Sequence, residues 1–306
     1  SRLWSVFPSL GPGRIPETSY REIHPAGRGK PCIAGRLVLP CIKNQIMNPA
    51  VGLVVALNAE ARALIGHGRW QQAGGCLFRR SRLTDGTHLI VVRSGMGSKN
   101  ASTASKWLIR EGVSGLAVSG VSGGLSPDLG PGDLVLADSV IQDDGNPINE
   151  TREVSFAGVD KAYGALMDRR LPAYRGPIIT VQRPVLSAGE KQALFAKTRA
   201  LAVDMESAAV AAAAGNAGLP FFAFRAVSDP AACSIPHDLF DAIDQNARVR
   251  PFHLLKMLLL KRVLMSELVR TKRDFDAALE GVGRAWHLAI RGILPSLLAP
   301  AGMLDL

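Results

Sequence analysis

Phe221-Phe222-Ala223-Phe224-Arg225-Ala226-Val227-Ser228-Asp229, closed by Pro230, is an apolar run that ends on an acid. Its aromatic and branched residues predict a buried strand, and the proline marks where that strand must stop. Some twenty residues upstream the same design recurs. The short run Ala200 to Val203 leads into Asp204-Met205-Glu206-Ser207, which opens an Ala-rich helical stretch from Ala208 to Ala214. Near the start of the patterned region, Val51 to Leu57 reads as the first convincing strand, and Glu60 follows it. In an open parallel sheet the carboxyl ends of the strands border the ligand crevice. Glu60, Glu206 and Asp229 are therefore candidates to face one substrate.

Between these markers the pattern alternates. Strands are predicted over 51–57, 76–83, 88–93, 115–119, 134–141, 177–181, 201–203 and 221–227, and helices over 60–65, 99–111, 161–171, 190–198 and 206–215. Strands interleaved with helices imply an α/β domain, with a mixed central sheet flanked by helices on both faces. The runs 76–83 and 88–93, joined through Asp85-Gly86, read as a hairpin set into that sheet. The predicted organisation is an irregular arm over 1–46, a catalytic domain over 47–247 and a basic amphipathic helical extension over 248–306. The arm holds six prolines and no sustained periodicity. It reads as a targeting or interaction arm, or as sequence upstream of a true start at Met47.

At 306 residues, 47% hydrophobic and 20% charged, the chain can bury a large core. The net charge of +10 is concentrated at the two ends. Residues 1–46 carry seven Lys/Arg against two acids, residues 248–306 carry ten against five, and the body between is neutral. A neutral body argues against a nucleic-acid-binding core. Cys32, Cys41, Cys76 and Cys233 form no C-x-x-C pair, which argues against a structural zinc site or a disulfide framework and points to a cytoplasmic setting. Lys256, Lys261 and Arg262 interrupt the longest apolar run, leaving it short of the roughly 20 residues that span a bilayer.

Two glycine clusters lie at predicted strand ends, Ser94-Gly95-Met96-Gly97 and Ser119-Gly120-Val121-Ser122-Gly123-Gly124. Neither matches a P-loop or a complete dinucleotide fingerprint. They read as tight turns, or as places where backbone N–H groups approach a ligand closely. The acids carry the same ambiguity. Glu206 suits a helix N-terminus stabilised by the macrodipole, and Asp229 suits a turn before proline.

The runs 51–61 (VGLVVALNAEA), 94–97 (SGMG), 119–138 (SGVSGGL then PGDLVLAD), 203–207 (VDMES) and 224–229 (FRAVSD), in that order over about 180 residues, resemble the purine and uridine phosphorylase superfamily. Among its branches they are most similar to the methylthioadenosine/S-adenosylhomocysteine nucleosidases. The resemblance implies an enzyme that cleaves the N-glycosidic bond of a nucleoside, assembles as a homo-oligomer, and uses no metal and no redox cofactor. It assigns Asp229 as the general acid at purine N7, with Ser228 orienting it, and Glu60 as the acid that activates the attacking water. Glu206 would grip the ribose hydroxyls, and Met205, Arg225, Gly95 and Gly123 join the substrate-binding set.

The chemistry is consistent with those roles. Breaking C1′–N9 creates a cation-like sugar and a poor leaving group, so the base needs a proton and the sugar an adjacent anion. Glu60 stands where the phosphorolytic branch would hold phosphate, which favours water over phosphate as co-substrate; Arg62 and Arg93 keep phosphorolysis as the alternative. By resemblance, an Asp at position 229 suits a 6-aminopurine. Two departures stand out. Val121 replaces a serine, and Val181-Gln182-Arg183-Pro184-Val185 lacks the aromatic that would stack on the base, so a non-catalytic nucleoside- or lipid-binding relative remains a second reading.

The tail, through Arg270-Thr271-Lys272-Arg273-Asp274-Phe275, is similar to that of the hopanoid-associated phosphorylase-like enzymes, implicated in releasing adenine from adenosylhopane. Leu- and Trp-bearing basic helices over 251–269 and from Arg273 onward can lie on an anionic membrane surface, or pack on the domain or on another subunit.

Overall fold

The computed structural model describes residues 50–143, 151–152, 158–236 and 265–298. The predicted arm over 1–46, Met47, Cys32, Cys41 and the 251–264 part of the first tail helix lie outside these residues. The chain divides into two units, Ser1–Gln45 and Ile46–Leu306, and every described residue belongs to the second.

The elements run β1 (Ala50–Val55), α1 (Asn58–Ile65), β2 (Gln71–Ala73), β3 (Cys76–Arg82), β4 (His88–Arg93), α2 (Ser98–Arg110), β5 (Gly115–Gly124), β6 (Leu134–Gln142), β7 (Thr151–Arg152) and α3 (Val159–Met167). Then follow β8 (Ala173–Thr180), α4 (Ala188–Thr198), β9 (Ala202–Asp204), α5 (Ser207–Asn216), β10 (Phe221–Asp229), α6 (Met265–Ala285), a π-helical turn (Trp286–Ile290) and α7 (Arg291–Leu297). This is the mixed sheet flanked by helices that the alternation implies. The 76–93 hairpin is present as the antiparallel pair β3–β4, while β2 and β7 are short strands that periodicity did not announce.

β5 is the hub. It pairs in parallel with β1 along 115–118 and with β10 along 116–123, and its last two residues meet β9 antiparallel. β10 also pairs with β6, β6 with β8, and β8 with β9, so the ladder returns to β5 and closes a ring of five strands. β1, β4, β3 and β2 extend from β5 as an open limb. Side chains alternate across the strands as the pleat requires. Phe222 and Phe224 enter one core layer with Leu53 and Trp286, while Phe221 and Ala223 enter the other with Trp107 and Leu108. β1 is buried at all six positions, as expected of a strand covered on both faces.

One expectation changes and one alternative is decided. Ser119 to Gly124 is strand, not a turn beyond it, because β10 hydrogen-bonds alongside as far as Asp229 opposite Gly123. Of the alternatives for the tail, packing on the domain is the one that α6 takes. Ala278, Val282 and Ala285, at spacings of four and three, are fully buried and continue through Trp286 and Ile290 into the larger core layer. Among the described residues no helix is long and apolar enough to cross a membrane.

Candidate active site

The three acids reach one place by three routes. Glu60 lies in the first turn of α1, directly after β1, with 1% of its surface exposed. Its Oε2 accepts the N–H groups of Ala56 at 2.9 Å and Leu57 at 2.8 Å, and its Oε1 accepts that of Val121 at 2.9 Å. Two N–H groups between β1 and α1, and one on β5 beyond its pairing with β1, thus hold one carboxylate. Gly120 stands behind it with φ +150°; a Cβ there would collide with Glu60 Oε1 and come within 2.8 Å of Arg225 Nη1. Glycine is what lets acid and guanidinium share that space. Burial pushes the Glu60 carboxyl up, against the Arg225 charge and the three N–H donors.

Glu206 arrives from the opposite direction. β9 runs antiparallel to β5, so this acid approaches from a reversed strand rather than from a neighbouring parallel one, and it holds the N-cap position of α5 without a side-chain cap bond. Its Oε1 accepts the Gly97 N–H at 2.7 Å, and Oε2 lies 3.4 Å from Arg225 Nη2. Ser98 Oγ donates to the Met205 carbonyl at 2.8 Å, which ties the Gly97–Ser98 turn to the Met205–Glu206 corner. Arg225, 1% exposed, makes its short ion pair with Asp204 instead. Asp204 is further held by Thr180 Oγ1 at 2.6 Å and by the Ser207 hydroxyl and N–H. Burial, only partly offset by Arg225 and reinforced by the neighbouring Asp204 charge, pushes the Glu206 carboxyl up to about 7.

Asp229 ends β10. Between Val227, opposite Ser122, and Asp229, opposite Gly123, the register slips by one residue. Bulges of this kind re-aim side chains next to functional sites. Asp229 Oδ1 accepts from Ser228 Oγ at 2.6 Å and Oδ2 from Lys191 Nζ at 2.6 Å. Gly123 leaves room for the carboxylate, since a Cβ there would stand 3.2 Å from Oδ2. Burial raises the Asp229 carboxyl above its ordinary range, with Lys191 pulling the other way.

All three acids open into a single cavity of about 610 Å³, within the range of roughly 300–1,000 Å³ usual for small-molecule sites. Met205, Ser228 and Gly123 also line it. Gly95 and Arg225 do not. Gly95 spends its N–H on Ala56 O, leaving the contact with Glu206 to Gly97, and Arg225 lies behind the wall as a support for two acids. Val121, Val181, Pro184 and Val185 give apolar walls, and α6 contributes Leu268 and Phe275. Among the described residues the only cation on the lining is Lys272; neither Arg62 nor Arg93 takes part.

Sequence reasoning missed Lys191, Asp204 and Phe275, and within the 94–97 cluster it named Gly95 where Gly97 makes the contact. Lys191 did leave a trace. Ser187 and Glu190 form a capping box, which puts Lys191 in the first turn of α4, where the macrodipole disfavours a cation.

Comparison with known proteins gives the family of the chain. The phosphorylase superfamily model matches residues 50–260, and the chain belongs to that superfamily. It is 27% identical over 221 residues to the 5′-methylthioadenosine/S-adenosylhomocysteine nucleosidase of Mycobacterium bovis, covering 60% of this chain and 86% of that one. In fold it resembles the futalosine hydrolase of Helicobacter pylori, with a TM-score of 0.60 and 22% identity over 82% of this chain and 98% of the other. The Helicobacter pylori 5′-methylthioadenosine/S-adenosylhomocysteine nucleosidase bound to butyl-thio-DADMe-Immucillin-A gives 0.59 and 21%, over 81% and 97%.

Proposed function

We propose that the chain is a nucleosidase that releases adenine from a 5′-substituted adenosine by acid-assisted hydrolysis. The observation that carries this reading is the convergence of Glu60, Glu206 and Asp229, from three separate elements, on one cavity. Asp229, its carboxyl raised by burial, protonates N7 so that the base leaves neutral. Glu206 accepts hydrogen bonds from the ribose hydroxyls and sets negative charge beside the developing cation. Glu60 orients water and takes its proton. Three backbone N–H groups already fix its carboxylate, so no reorganisation is needed when the water attacks. Water rather than phosphate is favoured, since the described lining carries five carboxylates against one cation, Lys272.

For the 5′ substituent we propose a polycyclic lipid, with adenosylhopane as the substrate. Support comes from the predominantly apolar walls and from α6, which brings Leu268 and Phe275 to the cavity and carries the tail resemblance. Phe275 also offers an aromatic ring that the 181–185 segment lacks. A lipid-borne substrate fits peripheral contact of a cytoplasmic protein with the membrane. Met265 and Val269, 59% and 60% exposed, lie on the same helix as Lys272 and Arg273.

The test is adenine release from adenosylhopane and from methylthioadenosine, each with and without inorganic phosphate. The expected result is adenine plus free sugar without phosphate, and a higher kcat/KM for adenosylhopane. Strict phosphate dependence would turn the reading to phosphorolysis. No adenine from either nucleoside would end it.

A further inference from the structure

One buried cation lies outside the chemistry described so far. Lys191 is 0% exposed, and its Nζ is ringed by four acceptors: Asp229 Oδ2 at 2.6 Å, Asp229 O at 3.2 Å, Pro230 O at 3.0 Å and Cys233 O at 2.9 Å. All belong to the end of β10 and the turn after it. The start of α4 is stitched to the same turn, since Ala188 N–H donates to Ser234 Oγ at 3.0 Å and Ile235 N–H to Leu186 O at 2.8 Å. A full charge, desolvated at the end of a helix that repels it, is explained by the carboxylate it meets.

We propose that Lys191 is the positioning residue of the Asp229 acid: it holds Oδ2 in a charge-assisted bond, so that the transferable proton sits on Oδ1. Both oxygens accept a donor, but the charge of the ammonium keeps the negative charge on Oδ2, while Oδ1 meets only the neutral Ser228 hydroxyl and has a lone pair left for the proton. Oδ1, which Ser228 Oγ contacts at 2.6 Å, is then the atom that donates. During cleavage the O–H bond of Oδ1 breaks and an N–H bond forms at N7. The resulting carboxylate stays paired with Lys191 until solvent returns the proton. This inference rests on the reading of Asp229 as the acid.

Among the described residues the charged groups acting on Asp229 are Lys191 from α4 and Asp274 from α6, and Glu60, Asp204, Glu206, Lys272 and Asp276 stand on the walls of the same cavity. Lys191 pulls the carboxyl down and Asp274 pushes it up. A general acid works while protonated, so activity falls as pH rises through its pKa. Removing the lysine charge raises that pKa and moves the fall to higher pH.

The experiment measures adenine release by the full chain, over a pH series, for Lys191→Met and Lys191→Arg, with thermal unfolding as a check on folding. Lys191→Met is expected to lower kcat roughly 10- to 100-fold with little change in KM, as for a reacting group displaced by a fraction of an ångström to one ångström. Its alkaline limb should move up by about one pH unit or more, as expected when a close opposite charge is lost. Lys191→Arg should leave the limb where it is. An unmoved limb in Lys191→Met, or an unchanged kcat, overturns the proposal. A double-mutant cycle separates action through Asp229 from action on the fold. In an Asp229→Asn background, Lys191→Met should cost nothing further; a second loss as large as the first assigns the lysine to the fold and overturns the proposal. Should Lys191→Met fail to fold, Lys191→Gln carries the same two comparisons. Asp229→Asn alone is a separate matter. Retained activity there would remove the functional reading itself, and the role of Lys191 with it.

Discussion

The Glu206 side of the cavity and the Asp229 side solve one problem in opposite ways. On the first, a single guanidinium is shared: Arg225 makes its tight pair with Asp204, stands 3.4 Å from Glu206, and feels the charge of Glu60. On the second, a single ammonium at 2.6 Å serves a single carboxylate. Three acids around one cation leave negative charge over, as suits the place where a sugar becomes cationic. One acid with one cation is neutral once the proton has gone and one charge positive while it is held, as suits a group that must give its proton up. Cation supply, more than burial, separates two acidic walls of one pocket.

The sharpest way to break this contrast is Asp229→Asn, which keeps the shape and removes the acid. Loss of a general acid costs about 10²–10⁴-fold in rate, so kcat for adenine release should fall by that much while the nucleoside still binds. A loss below tenfold would place the proton donor elsewhere. On the other wall, Glu206→Gln keeps volume and one acceptor but removes the charge. Electrostatic groups aimed at a transition state are each worth roughly 10²–10³-fold, and this substitution should fall near the lower figure because Glu60 and Asp204 keep the wall acidic. Steady-state kinetics decides. A rise in KM with kcat unchanged would show that Glu206 only binds.

The same contrast predicts how stability depends on pH. Glu206 titrates at about 7 in the folded chain against 4.5 as its ordinary value. A carboxyl raised on folding binds more protons in the native state than in the unfolded one, so stability falls as pH climbs from 4.5 towards 7. With about 1.4 kcal/mol for each pH unit that separates the folded from the unfolded value, this group alone accounts for a decline on the order of 3 kcal/mol. Glu60 and Asp229, also raised, act in the same direction. Denaturant unfolding across that window should show the decline, and Glu206→Gln should flatten it. Equal slopes in the two proteins would mean that Arg225 neutralises Glu206 after all.

The positions of these acids could be read without coordinates because an apolar run has to end somewhere, and Val51–Leu57 and Phe221–Val227 end close to Glu60 and Asp229. The hairpin at 76–93 followed from alternation and Asp85-Gly86. What sequence did not reveal depends on which element lies against which. Lys191 in Gly189-Glu190-Lys191-Gln192 looks like any solvated helix lysine until α4 is packed over the end of β10. Ser119–Gly124 looks like a turn until β10 supplies a partner for its backbone. Phe275 has helical spacing, but nothing local says that α6 turns it toward the cavity. The reversed approach of Glu206 depends on β9 meeting β5 antiparallel, which is set by ring closure through β8 and β6.

The mildest test compares two glycines of β5, one on each side. At Gly120 an added Cβ would strike Glu60 Oε1 and stand 2.8 Å from Arg225 Nη1, with φ +150° disfavoured for any L side chain. Nothing there can yield cheaply, because Glu60 is pinned by three N–H groups and Arg225 is sealed in its ion pair. Gly120→Ala should therefore cost about 1–3 kcal/mol, the usual range for overpacking, and lower kcat as Glu60 is displaced. At Gly123 the added carbon would meet Asp229 Oδ2 at 3.2 Å and Val203 Cγ1 at 3.0 Å, and relief needs shifts of only tenths of an ångström. Gly123→Ala should cost no more than about 1 kcal/mol, as for a tolerated small change in volume. It should still slow catalysis several-fold, because the group that must move is the carboxyl held between Lys191 and Ser228. If the two substitutions cost the same stability, the Glu206 side is not the more rigidly held of the two. If Gly123→Ala leaves kcat untouched, the Asp229 carboxyl tolerates displacement, and its fixed geometry is not what drives cleavage.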